Sequence, residues 1–102
     1  MPRILSLDVG TSSVRGQIFE PEAEERTPAR RDYAGENDPE RIVELVREVL
    51  KEAATESYDA AGTSSFGHSL LALDHAGRPL TEVLSWRDTR SADAADTLLR
   101  RL

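Results

Sequence analysis

Apolar residues near the start of the chain fall into two short runs. Arg3-Ile4-Leu5-Ser6-Leu7 opens the first, and Val14-Arg15-Gly16-Gln17-Ile18-Phe19 makes the second. Between them lies Asp8-Val9-Gly10-Thr11-Ser12-Ser13, with a glycine and three hydroxyls. The pattern predicts a strand over about residues 3–9, a tight turn, and an antiparallel partner strand over 14–20. Residues 20–31 are charged and broken by Pro21 and Pro28, which predicts a loop and a ragged third strand ending near Tyr33. The acidic cluster Glu20, Glu22, Glu24 and Glu25 reads as a solvated turn rather than a metal site. Asp38-Pro39-Glu40 then supplies a capping side chain, a proline for the first helical position and an acid for the first turn. Ile42, Val46, Val49, Leu50 and Ala53 follow at helical spacing, with Val43 and Leu45 on the flanks. An amphipathic helix should therefore run from Pro39 to about Ser57, its stripe laid on a sheet.

The second half reads as a short buried strand of small residues (Ala60 to Ser64) and a strand from Leu70 to Leu73. A turn over Asp74-His75-Ala76-Gly77-Arg78 and a return strand from Pro79 to Trp86 come next. A helix capped at Ser91 runs to the last residue. This order gives an α/β chain with mixed pairing.

Composition narrows the classes. The 102 residues suffice for one small domain, and a net charge of −6 argues against a nucleic-acid surface, which needs a basic patch. The absence of cysteine excludes disulfides and thiolate metal sites. No apolar run approaches the roughly 20 residues of a membrane span, so a soluble cytoplasmic protein is expected. One Trp, two Tyr and two Phe within a 38% apolar chain are few for a complete α/β domain. The last helical pattern also lacks a glycine or proline stop. Both features suggest a piece of a larger protein.

The first turn carries chemistry. Asp8 ends a strand, Gly10 turns the chain, and Thr11, Ser12 and Ser13 line the turn. A carboxylate can hold magnesium through water, because Mg²⁺ prefers oxygen ligands and keeps much of its hydration. Successive N–H groups and hydroxyls can point at phosphate oxygens, as in an anion-binding nest. The stretch lacks the Gly-Lys-Ser/Thr ending of a P-loop and the spaced glycines of a dinucleotide loop, and both of those feed a helix. On these six residues alone, an ordinary hairpin with a polar turn fits equally well. A second group lies at Gly67-His68 and Trp86-Arg87-Asp88-Thr89-Arg90. Its Trp face can pack on the C–H side of a polyol, Asp88 can accept hydroxyl protons, and His68 and Arg90 can donate. Taken singly, His68 reads as a loop histidine bonded to backbone and Trp86 as a core residue.

Taken together, these motifs resemble the N-terminal part of the FGGY carbohydrate kinases, with the ribonuclease H-like fold of actin and hexokinase-type ATPases. Asp8-Val9-Gly10-Thr11-Ser12-Ser13-Val14-Arg15 is similar to the family's first phosphate motif, and Asp38-Pro39-Glu40 to the start of its first helix. Phe66-Gly67-His68-Ser69-Leu70 and Leu73-Asp74-His75-Ala76-Gly77-Arg78-Pro79-Leu80 are similar to its substrate-side hairpin, and Trp86-Arg87-Asp88-Thr89-Arg90 to its W-x-D-x-R signature. The resemblance implies a mixed sheet with flanking helices, here only the N-terminal portion over residues 1–102. It implies ATP and Mg²⁺ as cofactors, with Asp8 near the metal. Gly10, Thr11, Ser12, Ser13 and Arg15 would belong to the phosphate side, and His68, Trp86, Asp88 and Arg90 to the sugar side.

Within the family, His68-Ser69-Leu70, Pro79-Leu80-Thr81 and Trp86-x-Asp88-x-Arg90-Ser91 look most like gluconate kinases. Gly67 and Arg87 depart from the methionine and alanine usual there, and the turn after Phe19 lacks the usual glycine. A kinase for xylulose or another ketose or polyol is the alternative; a binding module that has lost the chemistry is a third. The resemblance implies a small sugar or sugar acid and the remainder of the kinase chain as partners, without nucleic acid or membrane, and leaves room for a homodimer at full length. The family's catalytic base lies further along than Leu102, so the isolated chain should be inactive.

Overall fold

The structure, a computed structural model, describes residues 2–24 and 26–102. Glu25, the last member of the acidic cluster, lies outside the described residues. The chain forms two compact units, one up to Gly67 and one from His68 to Leu102.

In the first unit, β1 (Ile4–Val9), β2 (Ser13–Phe19), β3 (Ala29–Asp32) and β4 (Ala60–Ser65) make one sheet in the order β3-β2-β1-β4. β1 and β2 pair antiparallel, with Leu5 opposite Ile18 and Asp8 opposite Arg15, as the two apolar runs predict. β3 pairs antiparallel with β2. β4 pairs parallel with β1, and a parallel neighbour needs a long crossover. Helix α1 (Pro39–Ala53) supplies it. Its start is fixed as the sequence predicts: Pro39 stands in the first turn, and the Asp38 carboxylate accepts from the Glu40 N–H at 3.0 Å.

Alternation sorts the strand residues onto two faces. Leu5, Leu7 and Val9 share one face with Val14, Gly16 and Ile18; Ile4, Ser6 and Asp8 share the other with Arg15, Gln17 and Phe19. α1 covers the first face. Val14, Tyr33, Leu45 and Val49 form its buried cluster, with Leu7, Val9, Ala29 and Val46 against it. Gly16 allows the close approach, since a Cβ there would stand 2.9 Å from Val49 Cγ1.

Three expectations for this unit change. Leu45 is core rather than flank: Ile42, Leu45 and Val49 are the buried centre of the stripe, while Val46 and Leu50 are half-buried. The apolar arc is wide enough to allow either centre, and packing of Leu45 and Val49 with Val14 and Tyr33 selects one. α1 also ends at Ala53, short of Ser57. Ala53 is its last packed residue, and the chain must then turn so that the Asp59 N–H can reach the Arg3 carbonyl and start β4. Finally, β4 is exposed along its whole length. It is an edge strand, and no atom lies within 4 Å of where a Cβ on Gly62 would be.

The second unit departs further from its pattern. Instead of two continuous strands, only the bridges Leu70↔Leu84 and Leu73↔Pro79 form. Three steps on one limb face five on the other, so the surplus residues bulge out and break the ladder. The turn is as expected. Asp74 Oδ1 accepts from the N–H groups of Ala76 and Arg78 at 2.9 Å, and Gly77 takes φ +80°. Helix α2 (Ala92–Arg101) follows, with no buried residue. Ser91 stands at its cap position without a side-chain bond, because its backbone (φ −91°, ψ 4°) is not the extended form that a cap uses. No helix among the described residues is long and apolar enough to cross a membrane.

Candidate functional site

The turn between β1 and β2 is tied from two sides. Across its neck, the Gly10 N–H donates to the Ser13 carbonyl at 2.8 Å. A Cβ on Gly10 would meet that oxygen at 3.1 Å, so the closeness of the turn itself favours glycine. From the end of β3, the Tyr33 N–H donates to the Ser12 carbonyl at 2.8 Å, and the Tyr33 hydroxyl donates to the Gly10 carbonyl. Tyr33 is buried in the core cluster. Burial, then the nearby Asp8 carboxylate, raise its phenol above the ordinary value, partly offset by Arg15. The turn is thus held by the hydrophobic core through one side chain.

The three hydroxyls separate. Thr11 and Ser12 are exposed, whereas Ser13 is 3% exposed as the first residue of β2. Only the first two are open to a ligand without rearrangement. Asp8 stands on the sheet face that α1 leaves bare. Its Oδ2 accepts from Arg15 Nη2 at 2.6 Å, across the strand pair that sets them opposite one another. The Asp8 side chain remains 46% exposed. Arg15 Nε is buried without an acceptor, so the guanidinium is only partly satisfied. A groove of about 440 Å³ runs beside the carboxylate, lined by Ser6, Asp8, Gln17, Phe19 and Ser64 among others. A second hollow of about 240 Å³ lies between Asp8, Arg15, Gln17 and Pro28.

No group of three or more His, Cys, Asp or Glu residues among the described residues can cage a metal. That donor set still fits magnesium, which typically uses one or two carboxylates, substrate phosphates and several waters. Asp8 is the carboxylate available at the turn.

In the second unit, Trp86-Arg87-Asp88-Thr89-Arg90 forms a self-locked turn. The Asp88 N–H donates to the Ser85 carbonyl at 2.9 Å. Asp88 Oδ1 accepts from the Arg90 N–H and from Arg90 Nε, both at 2.9 Å, and Oδ2 lies 2.8 Å from Arg90 Nη2. The backbone N–H of Arg90, then its side chain, hold the Asp88 carboxyl below its ordinary range. Glu82 takes a further Arg90 donor at 3.1 Å. Trp86 is 60% exposed, so it is a surface ring rather than a core residue. The Arg87 guanidinium sits 4.9 Å from its centroid. His68 adopts φ +57°, a left-handed conformation uncommon outside glycine.

The sequence pattern missed three partners: Tyr33 on the turn, Arg87 on Trp86, and Glu82 on Arg90. Only Arg87 left a local signal, as the neighbour of the tryptophan. The other two depend on pairing across distant residues.

Comparison with known proteins matches residues 3–102 to the FGGY family of carbohydrate kinases, N-terminal domain. A glycerol kinase of Alteromonas mediterranea is 32% identical over an alignment of 104 positions that covers 87% of this chain and 21% of that protein. The crystal structure of Plasmodium falciparum glycerol kinase with ADP superposes with a TM-score of 0.85 at 18% identity, over 100% of this chain and 24% of that one. The gluconate kinase structure from Lactobacillus acidophilus gives a TM-score of 0.80 at 24% identity, over 97% of this chain and 22% of that one. The mixed sheet with its flanking helix thus has the fold of these kinases, in its N-terminal portion. The chain spans about a fifth of the length of the curated relatives it matches.

Proposed function

Because the chain belongs to the FGGY family of carbohydrate kinases, we propose that it is the N-terminal part of an ATP-dependent kinase for a sugar acid, with gluconate as substrate. The observation that carries the phosphate side is the Asp8–Ser13 turn. It joins two antiparallel strands, is tied by Tyr33 to the core, and leaves Asp8 on the bare face of the sheet. In the transfer, a sugar hydroxyl oxygen attacks the terminal phosphorus of ATP. The bond from that phosphorus to the bridging oxygen breaks, ADP leaves, and the hydroxyl proton passes to a base. Such chemistry depends on positioning and charge stabilisation more than on covalent help from the protein.

This chain's residues supply part of that positioning. Thr11, Ser12 and the turn's backbone donors take phosphate oxygens. Ser13, buried behind them, sets the turn. Arg15, whose Nε lacks an acceptor, offers a cation to the phosphate. Asp8 would hold a magnesium ion through its water shell, and that ion would supply positive charge against the phosphates. On the sugar side, Trp86 packs on the carbon chain, and His68, Asp88 and Arg90 address its hydroxyls. The base and the adenine clamp belong to the remainder of the longer chain, which would work where ATP is made available, in the cytoplasm.

The test is ADP release by the longer chain with gluconate, xylulose and glycerol in parallel. A kcat/KM for gluconate at least tenfold above the others supports the reading. A preference for xylulose or glycerol overturns the substrate, and turnover of none of them favours a binding module without catalysis.

A further inference from the structure

The two arginines of the Trp86–Arg90 turn are treated differently. Arg90 is bound by the Asp88 carboxylate and by Glu82. Arg87 is exposed, lies over the Trp86 ring with its Cζ 4.9 Å from the centroid, and has no carboxylate partner among the described residues. The acids near it in sequence, Glu82 and Asp88, are already engaged by Arg90. Its backbone N–H is fixed to Ser85 Oγ at 3.3 Å. Arg47, Arg78, Arg100 and Arg101 also take no part in the ion pairs among the described residues; Arg87 differs from them in lying over an aromatic ring.

The geometry points to Arg87 as the residue that reads the charge of the sugar. A guanidinium held over an aromatic face keeps N–H donors that can match a carboxylate with two parallel hydrogen bonds. The ring beneath it is 60% exposed and keeps apolar surface for carbon-bound hydrogens. One turn therefore offers a cation and an apolar plate side by side. A polyol chain ending in a carboxylate, an aldonic acid, presents the complementary pair. A neutral polyol would use the plate and leave the cation unmatched. This inference rests on the sugar-kinase reading and adds to it the side chain that separates acids from neutral sugars.

Trp86 is the only tryptophan, so its emission reports on this turn directly. The 102-residue chain is titrated with D-gluconate and with D-glucitol, which differ only at the terminal carbon, carboxylate against hydroxymethyl. Half-saturation by gluconate is expected at a concentration at least tenfold lower than by glucitol. Arg87→Ala should raise the gluconate value at least tenfold, to that of glucitol, and leave glucitol unchanged. Arg87→Lys should fall between the two, because an ammonium keeps the charge without the fork. Arg87 is exposed, so circular dichroism of both variants should match the parent. An equal response to both ligands, or a gluconate preference that survives Arg87→Ala, overturns the role of Arg87 and leaves the sugar site standing. No response to either ligand overturns the inference and the sugar-side half of the proposed function together. The phosphoryl-transfer half stands or falls separately, on ADP release.

Discussion

The Gly10–Ser13 turn and the Trp86–Arg90 turn are both short, polar and rich in hydrogen bonds, yet they are held in opposite ways. The first is fixed from a distance: Tyr33, more than twenty residues away in sequence, carries the order of the core into the turn through the Gly10 carbonyl. The second is fixed by its own neighbours, Asp88 locking onto Arg90 two residues on and Glu82 adding a second carboxylate. All the buried residues among those described belong to the first unit. On the proposed reading, a turn that takes phosphate would gain from rigidity set by a core. On the same reading, a turn that tells substrates apart would rely on local charge pairs and exposed side chains. Substitutions should therefore be costly in the first region through packing and mild in the second, where they act on recognition.

The largest effect is expected at Val49, which is fully buried against Gly16. Val49→Asp should cost about 4 kcal/mol or more, because it buries an unpaired charge. Urea unfolding followed by far-UV dichroism would show it as loss of the cooperative transition. An unchanged midpoint would mean that α1 does not cover the sheet. Tyr33→Phe comes next. It removes one hydrogen bond and leaves the ring, so the loss should be about 1 kcal/mol, together with faster exchange of the Gly10 amide. If exchange at Gly10 stays the same, the turn is rigid without the core.

What the sequence disclosed follows this same divide. The hairpin, the capped start of α1 and the Asp74–Arg78 turn were legible, because each depends on residues close in sequence. The centre of the α1 stripe was not. Ile42, Leu45, Val46 and Val49 all lie on an apolar arc, and only the position of the sheet decides that Leu45 goes in. The small residues of β4 suggested burial, but small size does not say which layer lies above a strand. Leu70–Leu73 and Pro79–Trp86 had the apolar content of strands, and only the unequal limb lengths reveal the bulge. Asp8 and Trp86 stood out by type and spacing. Tyr33 did not, since its role exists only through the register of β3 against the turn.

Smaller effects are expected in the second unit. The Asp88 carboxyl is held below its ordinary value of 3.8 by the backbone and side-chain donors of Arg90. Its contribution is therefore complete above that ordinary value and is lost as pH falls through the lower, folded value. Trp86 emission should stay constant from neutral pH down to the ordinary carboxylate range and change only below it. A transition centred above pH 4 would show that the Arg90 lock is not closed in solution. The smallest effect is expected at Leu98, which is 64% exposed on α2. Leu98→Ser should shift stability of the chain by no more than about 0.5 kcal/mol; a larger loss in urea unfolding would mean that α2 packs against something in solution.

The role proposed for the Asp8 turn is phosphoryl transfer within a longer kinase chain. A coupled assay for gluconate-dependent ADP release tests it most directly, run on the longer chain, on its Asp8→Ala variant and on the 102 residues alone. The longer chain should turn over, Asp8→Ala should lower kcat by orders of magnitude with dichroism unchanged, and the short chain should stay at background. Full activity in the Asp8→Ala variant, or robust turnover by the 102 residues alone, would contradict the claim.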